Sequence, residues 1–188
     1  MRGRDKFKKF RRILMLMVKW YGLFPRKIRY RILERNRYAR GYFGQAKRYA
    51  LVKSLAKFVG ENVSIKEGVF LYNIEDLSIG NNVSIWPMSY VDAYGGVTIG
   101  DDVSIAHGVS ILSFEHYYKK RSIPIKEQGL EPLPITIGDD VWIGAKATIL
   151  GGKHIGNGCV IGSGTVITKD IPDQLVMVGV PGKKIKER

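Results

Sequence analysis

The 188-residue chain has one cysteine, three histidines and no long apolar run. A single thiol excludes any disulfide within the chain. Cys159 falls at a small-residue position of the repeat described below and reads as a buried core thiol. The longest uncharged stretches near the N-terminus, Ile13–Val18 and Trp20–Pro25, are too short to span a bilayer, and no small-residue cleavage site follows them. A cytoplasmic protein is the expectation, with peripheral attachment to the cytoplasmic face of the inner membrane as its extension. Acids are scarce where bases are dense. Residues 1–60 hold nineteen Lys and Arg against two Asp and Glu, whereas residues 61–188 hold twelve against fifteen. The net charge of +14 therefore belongs to the N-terminal segment.

What the chain has in abundance is a six-residue period. Aliphatic residues stand at Val59, Ile65 and Leu71, at Ile79, Ile85 and Val91, and at Ile99, Ile105 and Ile111. The register returns at Ile137, Ile143, Ile149, Ile155, Ile161 and Ile167. Seven of these positions are followed by Gly, and ten have a Val, Ser, Thr, Ala or Cys four residues on. Such a period predicts a hexapeptide solenoid, an all-β parallel helix of triangular section. Each hexad supplies a short strand and a corner, with the aliphatic residue inward, the small residue in the corner and the Gly in the tight turn. Five coils stacked at a strand spacing of roughly 4.8 Å make a prism roughly 24 Å tall.

The breaks in the period set the organisation. The first coils recur at twenty residues and the last at eighteen, and between Ile111 and Ile137 the hexad is lost. That excursion, residues 112–136, is rich in charge, Tyr and Pro, and an interruption of this length in a compact domain marks function. The expected division is a basic helical segment over 1–58, the solenoid over 59–172 and a tail over 173–188.

In the basic segment Phe7, Phe10, Leu14, Met17, Tyr21 and Phe24 recur at helical spacing among Lys6, Lys8, Lys9, Arg11, Arg12 and Lys19. This predicts an amphipathic helix ended by Pro25. A second basic stretch follows, and a third from Gln45 to Phe58 is expected to cap the first coil, whose open end would expose core and strand edges. For the first helix, residues 1–24 suit an anionic membrane surface. Packing on the prism or on a neighbouring subunit is the plainer reading. Nucleic acid is not expected, because no DNA or RNA module is recognisable.

The segment IGDDVWIGAKATILGGKHIGNGCVIGSGTVITKDIPDQLVMVGVPGKKIK resembles the C-terminal half of the left-handed β-helix, hexapeptide-repeat acyltransferases. The pattern is similar to galactoside and maltose O-acetyltransferases, xenobiotic acetyltransferases and enzymes that acetylate surface polysaccharides. It covers about residues 59–186 and leaves 1–58 unmatched. The resemblance implies left-handed coiling, which the period alone does not give. It also implies acetyl-CoA as co-substrate, a sugar or glycan acceptor, and a homotrimer with active sites between subunits.

Acetyl transfer from a thioester to a hydroxyl needs a base, and imidazole suits that task near neutral pH. In the resembling enzymes a histidine at the start of the interrupting loop plays this part, and His116 stands there. Glu115 and Glu127 are candidates to orient it, as is a backbone carbonyl. Asp92, in YVDAYGGVTIG, is similar to the family's acceptor-side aspartate, and Tyr117 begins the stretch expected to shape acceptor choice. On the donor side the resemblance points to Trp142, Ala145, Ser163, Gly164, Thr168 and Lys169 along the pantetheine arm, with Lys183 and Lys186 for the phosphates of coenzyme A. No metal is expected. A zinc carbonic anhydrase would need His107, His116 and His154 all as ligands, and their spacing is unlike that family's. An antibiotic acetyltransferase and a non-catalytic scaffold are the remaining alternatives.

Overall fold

The computed structural model describes residues 3–188; Met1 and Arg2 of the 1–24 segment, and the side chains of Arg4 and Lys6, lie outside the described residues. The described part is a parallel β-solenoid of about six turns preceded by three helices. Helix α1 spans Gly3–Gly22, α2 Arg26–Arg35 and α3 Gly41–Leu55. Pro25 separates the first two, standing at the N-cap of α2, where a missing N–H costs nothing.

Strands β1 (Phe58–Val59), β2 (Ser64–Ile65) and β3 (Phe70–Tyr72) make the first coil. The second is β4 (Leu77–Ile79), β5 (Ser84–Ile85) and β6 (Tyr90–Asp92), and the third is β7 (Val97–Ile99), β8 (Ser104–Ile105) and β9 (Ser110–Leu112). The excursion carries β10 (Phe114–His116) and β11 (Leu130–Pro132). The fourth coil follows as β12 (Ile135–Ile137), β13 (Trp142–Ile143) and β14 (Thr148–Ile149), and the fifth as β15 (His154–Ile155), β16 (Val160–Ile161) and β17 (Val166–Ile167). Each prism face is one parallel sheet: β1-β4-β7-β12-β15, then β2-β5-β8-β13-β16, then β3-β6-β9-β14-β17. Because Ile79, Ile99, Ile137 and Ile155 are in register, the inward aliphatics stack into columns. All fifteen hexad positions are buried, and so are the ten small residues four places on, Cys159 among them. Burial raises the Cys159 thiol's pKa, which keeps it protonated and unreactive.

Two details differ from the expectation. The Gly after each inward aliphatic was expected to relieve a tight turn, but the left-handed conformation falls two residues later, at Asn62, Asn82, Asp102 and Asp140. The Gly serves close stacking instead. A Cβ on Gly80 would lie 2.3 Å from Asp101 Oδ1 and 2.6 Å from the Gly100 carbonyl of the next coil. The residue after each of these glycines forms a ladder: Asn81 N–H donates to Asp101 Oδ1 (2.6 Å), Asp101 N–H to Asp139 Oδ1 (2.7 Å) and Asp139 N–H to Asn157 Oδ1 (2.8 Å). Corner backbone that would otherwise be left unpaired is thus satisfied from the coil above.

Residues 173–188, expected as a tail, continue the prism. Strand β18 (Leu175–Val178) adds in parallel to β16, and β19 (Lys183–Glu187) turns back antiparallel on β18. At the other end α3 covers the first coil. Tyr49 Oη donates to the Gly60 carbonyl (3.0 Å), and the buried Arg48 donates to the carbonyls of Ile65 (2.9 Å), Ala39 (2.6 Å) and Asn36 (3.1 Å). Burial lowers the Arg48 pKa, with Glu67 opposing the shift, and these carbonyls hold its guanidinium in place. Helix α1 lies on α3, burying Leu14 and Tyr21 and setting Phe7 edge-on to Tyr49 at 5.5 Å. Arg11 reaches Glu61 of the first coil at 2.6 Å. No helix among the described residues is long and apolar enough to cross a membrane.

Candidate active site

The excursion is a hairpin, not an open loop. Strands β10 and β11 pair antiparallel, setting Phe114 opposite Pro132, Glu115 opposite Glu131 and His116 opposite Leu130. Beyond His116, Tyr117 N–H donates to the Gly129 carbonyl (3.2 Å), and Gln128 ties the tip by donating to the carbonyls of Lys120 and Ile123 (2.8 Å each).

The root of this hairpin is built into the prism. Ser113 is fully buried; its hydroxyl donates to the Asp92 carbonyl (2.8 Å) and accepts from Gly95 N–H (2.9 Å). Leu133 N–H donates to the Ser113 carbonyl (2.8 Å), closing the two strands at the edge where the chain leaves the third face and re-enters on the first. The backbone at Gly95 passes so close that a Cβ there would stand 2.2 Å from the Ser113 oxygen and 2.4 Å from the Leu133 nitrogen. His116 is exposed, yet it sits only three residues from this buried anchor. The imidazole thus stands exposed just beyond a buried, hydrogen-bonded root.

Alternation along the strand puts His116 and Phe114 on one face of the hairpin and Glu115 on the other. Phe114 packs edge-on to Tyr94 at 5.8 Å, which locates that face beside the Asp92–Gly95 turn. Glu115 shares the opposite face with Glu131, directed away from the imidazole, and Glu127 ends the 3-10 turn Ile125–Glu127, three residues before Leu130, the partner of His116. Tyr117 is exposed just past the histidine.

Asp92 is 8% exposed, and its Oδ1 accepts from Asn73 Nδ2 (2.6 Å) and from Tyr94 N–H (3.1 Å). Burial and then the Asp92 charge raise the pKa of the neighbouring Tyr90 phenol. Tyr90 in turn lies 5.2 Å from the ring of Tyr72. Asp92 thus organises an aromatic shelf on the third face while its carbonyl holds the hairpin root. A cleft of about 410 Å³ opens beside that root, lined by Tyr94, Gly95, Thr98, Pro132 and Thr136. Sequence reasoning missed Tyr72, Tyr90 and Tyr94. The signal was present for two of them, since Tyr72 and Tyr90 flank the inward Leu71 and Val91 and so had to face outward.

The donor-side residues fall on a different part of the prism. Trp142 is exposed on the second face. Ala145, Ser163 and Gly164 lie along the edge between the second and third faces, where Gly164 N–H donates to the Ala145 carbonyl (2.8 Å). Gly164 has a φ of 70° and open space around its Cβ position, so backbone is accessible there. Thr168 and Lys169 are exposed at the next edge, between third and first faces, the same edge from which the hairpin leaves two coils earlier. Lys183 and Lys186 are exposed on β19 at the end of the second face. One chain therefore separates His116 from Trp142, Ala145 and Ser163 by the width of the third face.

Family models match this architecture twice: the bacterial transferase hexapeptide (six repeats) over residues 134–169, and the hexapeptide repeat of succinyl-transferase over residues 76–113. The galactoside O-acetyltransferase of Escherichia coli K12 is 38% identical over 144 residues, covering 75% of this chain and 68% of that protein. The chain belongs to the hexapeptide-repeat acyltransferase family. A solved galactoside acetyltransferase in complex with coenzyme A superposes with a TM-score of 0.77 at 32% identity, covering 86% of this hexapeptide-repeat chain and 80% of that one. A relative from Mycobacterium tuberculosis, named as a probable acetyltransferase, is 39% identical over 112 residues. That alignment covers 60% of this hexapeptide-repeat protein but 37% of the relative, so the chain spans little more than a third of that longer protein.

Proposed function

We propose that this protein transfers the acetyl group of acetyl-CoA to a hydroxyl of a sugar acceptor, as a homotrimer, with His116 as the general base. The hydroxyl oxygen attacks the thioester carbonyl while the imidazole takes its proton. The tetrahedral intermediate then collapses, breaking the carbon–sulfur bond, and the proton passes from the imidazole to the departing thiolate, so that free coenzyme A and an acetyl ester result. Both substrates react in one site and no covalent enzyme intermediate is needed.

The observation that carries this reading is the position of His116. It stands on a hairpin clamped at its root by Ser113 and Leu133, beside the shelf of Tyr94, Phe114 and Asp92. The similarity to a galactoside acetyltransferase that binds coenzyme A supports the donor and the acceptor class. The separation within one chain supports the trimer. A hairpin leaving one edge of a prism has the Ala145–Ser163 edge of a neighbouring prism within its reach when prisms pack side by side, whereas its own Ala145–Ser163 edge lies across a face. The surface-glycan role implied by the resemblance belongs to the same proposal and is supported by the strongly basic N-terminal segment.

The test is release of free thiol from acetyl-CoA by the purified protein across a panel of mono- and oligosaccharides, with chloramphenicol as an antibiotic acceptor. Sugar-dependent release that disappears in His116→Ala is expected. Release with the antibiotic alone overturns the sugar acceptor, and release with neither overturns the enzyme.

A further inference from the structure

Helix α1 has two apolar faces, and the fold uses one. Phe7, Leu14 and Tyr21, spaced by seven, face α3, with Leu14 and Tyr21 buried. Ile13, Leu16 and Trp20 along the other side, with Leu23 in the turn just after the helix, recur at spacings of three and four and are 55%, 65%, 54% and 81% exposed. A helix that served only to pack against α3 would carry charge there. Between α1 and α3 the same apolar surface continues into a groove of about 700 Å³, where Phe10, Tyr42 and Phe43 stand exposed and Lys9 and Lys66 form the rim.

Cations flank the exposed stripe. Lys8, Arg12 and Lys19 lie along one border of it and are exposed, while Lys9 stands within it and reaches over the Phe10 ring. Arg11 is turned the other way, toward Glu61.

We infer that the outward face of α1, with the adjoining groove, docks on an anionic lipid bilayer. Bulky aliphatic and indole groups at the centre and ammonium and guanidinium groups at the border match an acyl layer below a negatively charged headgroup layer. The charge argues against the other occupants. A second copy of this face would set Lys8, Arg12 and Lys19 against like charges, and residues 1–60 carry nineteen basic side chains against two acids. A nucleic acid would use the cations but leave Ile13, Leu16 and Leu23 without a role. The α1 axis then lies in the plane of the interface, since its opposite face is held by α3.

Deleting residues 1–24 is a poor test, because it also strips Phe7, Leu14 and Tyr21 from α3. Substitutions on the outward face avoid this. The full chain is mixed with vesicles of phosphatidylglycerol and phosphatidylcholine, or of phosphatidylcholine alone, and sedimented without acetyl-CoA or acceptor, so that failure here is separate from failure of acetyl transfer. The wild type should sediment with the anionic vesicles only, less as sodium chloride rises. Ile13→Ser/Leu16→Ser/Trp20→Ser and, separately, Lys8→Gln/Arg12→Gln/Lys19→Gln should each lower vesicle affinity by about tenfold or more with thermal melting and light-scattering mass unchanged. A wild type that stays in the supernatant overturns the inference, as does an apolar-face variant that sediments normally. A fall in mass for that variant also overturns it, because another copy of the chain then covers the face.

Discussion

Gly95→Ala should disturb the hairpin that carries His116 more than it harms the fold. The added Cβ meets two backbone atoms, Ser113 O at 2.2 Å and Leu133 N at 2.4 Å, where ordinary contacts fall at 3.4–4 Å. Neither is the far end of a flexible side chain, so the turn or the hairpin root must move by at least about 1 Å, a displacement that costs about 10²-fold in rate when it misplaces a reacting group. Those two atoms bond each other where β10 and β11 leave the prism, and His116 is three residues beyond. Overpacking of this kind costs about 1–3 kcal/mol, which for a chain of this size lowers the melting temperature by about 2–12 °C. The expected result is a folded protein of unchanged mass whose thiol release falls about 10²-fold, with coenzyme A binding changed little because Ala145, Ser163 and Gly164 lie across the third face from Gly95. Gly41→Ala, at the start of α3, is the control: its φ of 74° makes a side chain strained, yet nothing lies within 4 Å, so stability falls by about 1–2 kcal/mol without the hairpin moving. Gly95→Ala turnover within threefold of wild type would refute the idea that the root positions the base.

His116→Ala should lower thiol release by about 10² to 10⁴ while leaving coenzyme A affinity near its starting value, measured by turnover and by calorimetric titration. Light scattering should give about three times the chain mass, and a fully active monomer would rule out a site completed by a neighbour. Arg48→Met should destabilise by roughly 3 kcal/mol in chemical denaturation, since it strands buried carbonyls worth about 1–3 kcal/mol each; an unchanged midpoint would mean those bonds are replaced by water.

The six-residue period was enough to specify the solenoid, because an inward aliphatic at every sixth residue buries a continuous column only when coils stack in register. It also located the excursion, its histidine and the buried fate of Cys159. The cap from Gln45 to Phe58 was legible as well, since an open coil must be covered, although α3 begins at Gly41. Other features depend on atoms far apart in sequence, and no local pattern reports them. The close approach that requires Gly80, Gly95 and Gly100 is set by segments eighteen or more residues away. The seating of Ser113 between Asp92 and Gly95, and the turning of Glu115 away from His116, follow from how β10 pairs with β11. Helical spacing marked α1 as amphipathic, but only its packing on α3 showed which apolar residues are used and which remain outward. The same holds for the candidate site: residue types and the family resemblance named the donor-side positions, while the tertiary structure distributed them over two edges and one face of the prism, because three short strands per coil turn the chain through a full triangle between one hexad and its equivalent.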